Sequence, residues 1–145
     1  MLLERFQKIN AEAYGYGQGV PAQLVQVKKD LYLSCFNAFS MFRIDGFLDP
    51  NKNNCIKEVV HIEGKKVRSN HTAMNYNDEL VILIGGVSDG IFGESIRKSV
   101  YKYNVKTEEF GKLPELNQAR YNAASCQLDY TVYVAAGNSA RYSPL

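Results

Sequence analysis

The chain has 145 residues, 46% of them hydrophobic and 22% charged, and a formal net charge of +2. This length predicts one domain with apolar residues enough for a core, and so even a charge balance excludes the electrostatic footprint of a nucleic-acid binder. The cysteines, Cys35, Cys55 and Cys126, are odd in number and form no Cys-x-x-Cys pair, which argues against a disulfide framework or zinc site and for reduced thiols in the cytoplasm.

The start, Met1-Leu2-Leu3-Glu4-Arg5-Phe6, carries charges where a signal peptide needs an apolar run, and no stretch approaches the ~18 apolar residues of a membrane span. Leu2, Leu3, Phe6, Ile9 and Ala13 recur at helical spacing. They predict a short amphipathic helix over residues 2–13, packed on its own domain or, alternatively, docking as an arm on a partner. Gly15, Gly17 and Gly19 break it. These glycines make no dinucleotide loop, because that fingerprint needs a strand before it and a helix after it. No Gly-Lys-Ser/Thr phosphate loop occurs. Residues 1–19 therefore read as a helical arm and a glycine-rich linker.

From Leu24 the texture is β. Leu24-Val25-Gln26-Val27 and Leu31-Tyr32-Leu33 flank the polar Lys28-Lys29-Asp30 and predict a hairpin. Residues 49–54 are turn formers. Val59-Val60-His61-Ile62 is a strand candidate, with a turn at Gly64-Lys65-Lys66. Thr72 to Tyr76 predicts a strand, Asn77-Asp78 a tight turn, and Leu80 to Ile84 a strand buried on both faces. Gly85-Gly86 ends it, and a polar loop runs to about Lys98. Val100, Tyr101 and Tyr103 mark the next strand, and Asn104 to Thr107 turn into Phe110, before Leu113-Pro114. Four short strands in about 50 residues is the size of one propeller blade.

The unit then restarts. Arg68, Ala73, Leu83 and Gly86 recur as Arg120, Ala124, Val134 and Gly137, with offsets 120 − 68 = 52, 124 − 73 = 51, 134 − 83 = 51 and 137 − 86 = 51. Such constancy signals duplication. The run Arg68, Gly85-Gly86, Tyr103 to Phe110, Leu113-Pro114 and Arg120 resembles the kelch family. That family's repeat has an Arg ahead of the first strand and a Gly-Gly after the second. A Tyr and a Trp follow, spaced as Tyr103 and Phe110 are, and then Leu-Pro and the next Arg. Phe110 stands where the family has Trp, and Ala136-Gly137 replaces the second diglycine.

The resemblance implies an all-β chain: a partial kelch-type β-propeller of about two and a half blades. A degenerate blade spans residues 20–67, a full blade 68–119, and the start of a third 120–145. In the first, Leu31-Tyr32-Leu33 aligns with Leu80-Val81-Ile82 at an offset of 80 − 31 = 49. Propellers close with about four to eight blades, so the ring is expected to be completed by further sequence or another chain. Gly85, Gly86, Gly137, Tyr103 and Phe110 have structural work in such a blade: close backbone approach and apolar area between blades.

No catalytic set stands out. Only His61 and His71 are available as imidazoles, and no Gly-x-Ser-x-Gly occurs. Neither a cofactor nor a metal is expected. The resemblance places Arg68, Arg120 and Ser99 at the mouth where kelch proteins hold peptides, and arginine grips carboxylates bidentately; the alternative is that both arginines only bind loop carbonyls within the blades, as a structural signature of the repeat. The expected function is a non-catalytic protein-interaction module, a scaffold, adaptor or assembly subunit, with an acidic peptide or a neighbouring subunit as partner. The alternatives are a piece of a propeller enzyme whose active site lies outside this chain, and a structural subunit that contacts neighbours through blade edges.

Overall fold

The computed structural model describes residues 23–35, 40–45, 55–61, 68–90 and 93–139, and all regular structure in them is β. The expected helix at residues 2–13, its glycine linker and the turns at 49–54 and 64–66 lie outside the described residues.

Two four-stranded antiparallel sheets form the body. The first runs β1 (Gln23–Val27), β2 (Asp30–Cys35), β3 (Ser40–Asp45) and β4 (Cys55–His61) in spatial order. The second is ordered β6 (Thr72–Tyr76), β7 (Leu80–Ile84), β10 (Val100–Asn104) and β11 (Phe110–Leu113). A hairpin, β12 (Ala124–Leu128) and β13 (Thr131–Ala135), follows. A smaller sheet joins β5 (Arg68–Ser69), β8 (Val87–Gly90) and β9 (Gly93–Ile96). The stretch expected as a polar loop up to Lys98 is thus largely a β-hairpin. Its polar and glycine residues suit a small sheet at the end of the main one and give no apolar alternation to read. Strand β3 has no clear sequence signature either, because Ser40-Met41-Phe42-Arg43-Ile44-Asp45 mixes charge into its apolar run.

Side-chain alternation drives the packing. Val25, Val27, Tyr32 and Met41 of the first sheet meet Val81, Leu83, Tyr101 and Tyr103 of the second in one buried cluster. On the other face of the second sheet, Met74, Ile82, Ile84 and Val100 form another core, covered by Val132 and Val134 of the hairpin. Each unit therefore covers its predecessor with the same side of its second strand. A fully buried aliphatic or aromatic side chain contributes about 1.5–3 kcal/mol, and Tyr103, 1% exposed, is the largest such group. Its ring lies 6.0 Å from that of Tyr32, and Tyr101 stacks on Phe110 at 5.3 Å. Phe110 thus covers Tyr101 with an aromatic surface.

The duplication is visible in the pairing, with one refinement. Ala73 opposes Leu83 in β6–β7, and Ser125 opposes Val134 in β12–β13. Ala73 therefore corresponds to Ser125 (125 − 73 = 52), not Ala124. One residue is lost at the turn, Asn77-Asp78-Glu79 against Asp129-Tyr130. This explains why the offset falls from 52 at the arginines to 51 at the glycines. Ser69 pairs with Val87, and its counterpart Tyr121 bridges Asn138. In the first sheet Tyr32 lies opposite Arg43 as Ile82 lies opposite Lys102, so its offset is 82 − 32 = 50, one more than the sequence alignment gives.

Burial, and next to it the Glu108 carboxylate, push the Tyr103 phenol up to about 12 from its usual 10.0. The folded state therefore holds that proton more tightly than the unfolded chain. The stabilisation this brings is complete below pH ~10 and is lost as pH rises through ~12. Tyr103→Phe should flatten the loss of stability between pH ~10 and ~12 measured in urea, relative to the parent chain.

Candidate functional site

The repeat motif gathers the three residues singled out in the sequence around one segment, residues 85–88. The Gly86 N–H donates to the carbonyl of Arg120 at 2.9 Å, and the Gly85 N–H to the carbonyl of Ser99 at 3.0 Å. Arg68 pairs through its backbone with Ser88; its side chain lies outside the described part of the structure. Gly85 and Gly86 take positive φ, 64° and 98°. A Cβ on Gly85 would collide with the Arg120 carbonyl oxygen. The diglycine is required by close backbone approach as well as by conformation.

The side chains at this end are partly engaged. Arg120 donates from Nη1 to the carbonyl of Ala136 at 2.5 Å, clasping the next copy of the same loop. A guanidinium has five N–H donors in a planar fork, so this contact leaves an edge able to meet a carboxylate. Ser99 is buried, 7% exposed. Arg97, which no element of the repeat motif marks, donates from Nε to Ser88 Oγ, and its own backbone links Gly86 and Arg120 (Arg97 N–H to Gly86 O, 2.8 Å; Arg120 N–H to Arg97 O, 3.2 Å). Its position two residues before Ser99 is the one signal the sequence offers for it. One end of the second sheet thus brings together the backbones of Arg68, Arg97 and Arg120.

The opposite, turn end carries a repeated amide that the sequence does not reveal. Gln26, Asn75 and Gln127 occupy matching positions in the first strands of the three hairpins. Gln26 Nε2 donates to the Lys28 carbonyl of its own turn at 2.9 Å. Asn75 Nδ2 donates to Asp78 Oδ1 at 2.7 Å and back to the Gln26 carbonyl at 2.9 Å. Gln127 Nε2 donates to the Asp129 carbonyl at 2.6 Å, and its Oε1 accepts the Asn77 N–H at 3.0 Å. Each amide fixes its own turn, and the later two also reach the preceding hairpin.

A second polar pair is buried. Ser34 Oγ and His71 Nε2 lie 2.6 Å apart, with Ser34 3% and His71 7% exposed. Serine and histidine at this distance have the form of a nucleophile and its base. Both side chains are buried, and the pair joins β2 to the segment leading into β6. Among the described residues no three His, Cys, Asp or Glu side chains gather to hold a metal, and no helix is long and apolar enough to cross a membrane.

No protein-family model matches the sequence, and no curated protein matches it. Among solved structures, that of YjhT superposes with a TM-score of 0.65 at 18% identity, over 80% of this chain and 33% of that one. The chain spans about a third of the length of YjhT. At this identity the likeness concerns the fold alone.

Gly85→Ala should destabilise the chain by roughly 2 kcal/mol or more, through collision with a backbone atom as well as positive φ. Ala136→Gly, at a φ of 55°, should be neutral or raise stability by up to about 1 kcal/mol. Paired thermal melts check both.

Proposed function

We propose that the chain is part of a kelch-type β-propeller that serves as a non-catalytic protein-interaction module, with its arginine-bearing loop end receiving an acidic peptide. The fold reading is supported by the two antiparallel four-stranded sheets stacked face to face and by the repeated loop pairing. It draws further on the likeness to YjhT, though that likeness alone names no family. A cytoplasmic scaffold, adaptor or assembly subunit is the role that fits.

The observation carrying the ligand class is the convergence of Arg68, Arg97 and Arg120 on residues 85–88. Three arginines whose backbones meet at one loop favour an anion there, and the planar guanidinium edge of Arg120 favours a carboxylate. Arg120 has two roles in this reading: it clasps the Ala136 carbonyl with one donor and offers the rest of its fork to the ligand.

Fluorescence anisotropy tests this with a Glu-rich peptide pool and the same pool carrying Gln. The Glu pool should bind more tightly and lose affinity with added salt. Arg120→Ala should weaken binding by roughly tenfold or more, and Arg120→Lys, which keeps the charge but not the fork, should fall between. Equal binding of the Glu and Gln pools by a chain with an intact melt overturns the reading.

A further inference from the structure

Arg97 is held by backbone and side chain alike, and the small sheet explains how. Val87 pairs with Ile96 and Ser88 with Ser95 in the β8–β9 hairpin. Arg97 follows Ile96, and its N–H continues the ladder to the Gly86 carbonyl at 2.8 Å. Strand alternation puts Arg97 on the face of Ser95, diagonal to Ser88. The Arg97 Nε accordingly donates to Ser88 Oγ. Ser88 is 2% exposed, so its hydroxyl is an acceptor fixed by packing. The backbone on the other side is tied as well. The Arg97 carbonyl accepts the Arg120 N–H at 3.2 Å, the Lys98 carbonyl the Leu116 N–H at 2.8 Å, and the Ser99 carbonyl the Gly85 N–H at 3.0 Å.

The held guanidinium keeps a complete donor edge. Its Nε–H is engaged by Ser88, while the two terminal nitrogens meet no acceptor among the described residues. Other cations of the chain have their carboxylates: Arg43 meets Glu108 at 3.7 Å and Lys112 meets Glu115 at 2.7 Å. Arg120 differs again, because it gives a terminal nitrogen, Nη1, to the Ala136 carbonyl. The Nη1–Nη2 edge is therefore whole in Arg97 and partly used in Arg120. Two parallel N–H groups on such an edge match the two oxygens of a carboxylate. A side-chain amide offers one oxygen and an NH2 group, which sets donor against donor. A mobile arginine loses rotamer entropy when a ligand fixes it. Arg97, half-buried and tied at Nε, has lost part of that freedom beforehand.

We propose that Arg97 is the specificity-determining residue of the loop end, gripping a ligand carboxylate with Nη1 and Nη2, and that Ser88 is its positioning residue. This rests on the acidic-peptide reading and adds to it the side chain that tells a carboxylate from an amide. Both arginines hold the ligand, and Arg97 sets the larger part of the preference for Glu over Gln.

The test measures the affinity of the Glu-rich pool and its Gln counterpart, by anisotropy, for the parent chain, Arg97→Lys, Arg97→Ala, Ser88→Ala, Arg120→Ala and the Ser88→Ala/Arg97→Ala double variant, with a melt of each. Arg97 stitches the fold through its backbone, which every substitution keeps. Arg97→Ala should cut the Glu-over-Gln preference roughly tenfold or more. Arg97→Lys, which keeps the charge and loses the fork, should cut it about fivefold. Ser88→Ala should cut it about threefold, leave the Gln pool unaffected, and add nothing in an Arg97→Ala chain, because it acts through Arg97. A merely structural Ser88 would weaken both pools and add its effect to that of Arg97→Ala; that result overturns the positioning role. A preference that survives Arg97→Ala but not Arg120→Ala overturns the assignment of Arg97 and leaves the acidic-peptide reading standing. Equal binding of the two pools by the parent chain overturns both. Should Arg97→Ala fail to melt as the parent does, Arg97→Lys and Ser88→Ala decide: an unchanged preference in both overturns the proposal.

Discussion

The face-to-face burial between the first two sheets, centred on Tyr103, is the interaction on which the rest of the structure depends. Tyr103 is 1% exposed and packs among Tyr32, Val81 and the valines of β1. Neither sheet can cover its own face. Four antiparallel strands with alternating side chains leave one apolar side open, and only a second sheet closes it. The phenol's raised pKa is an electrostatic trace of the same burial.

From that interface a directional arrangement follows. The second sheet turns Val81 and Leu83 toward the first, and the hairpin turns Val132 and Val134 toward the second. Both ends of the interface are stitched by polar contacts whose positions repeat with the chain. At the loop end, small residues in positive φ let one backbone meet another. At the turn end, Asn75 and Gln127 reach back to the hairpin before. Apolar burial supplies most of the stabilisation, while the polar stitching fixes the angle and register at which sheets meet.

The same economy shapes the proposed binding surface. Arg120 serves the fold through Ala136, so any ligand it holds is read by a side chain whose position is already set. Lys102 stands in the place Arg43 takes one sheet earlier. The first cation has its carboxylate within this chain, on Glu108 in the turn between β10 and β11.

The sequence by itself determined the β character, the positions of β1, β2, β6, β7, β10 and the final hairpin, and the duplication. These are local signals: alternation, turn residues and diglycines act over a few positions. It could not locate the small sheet at residues 87–96, whose polar and glycine residues look like loop until β5 pairs with them. It could not show that a residue is lost at the turn of the last hairpin, because only cross-strand register reveals which residues correspond. Arg97, Ser88 and the Ser34–His71 pair were equally hidden, since their partners lie on other strands. Tertiary structure alone decided which arginine backbones meet and, among the described residues, which serines are buried. Those outcomes depend on contacts between residues distant in the chain, and no short-range pattern encodes them.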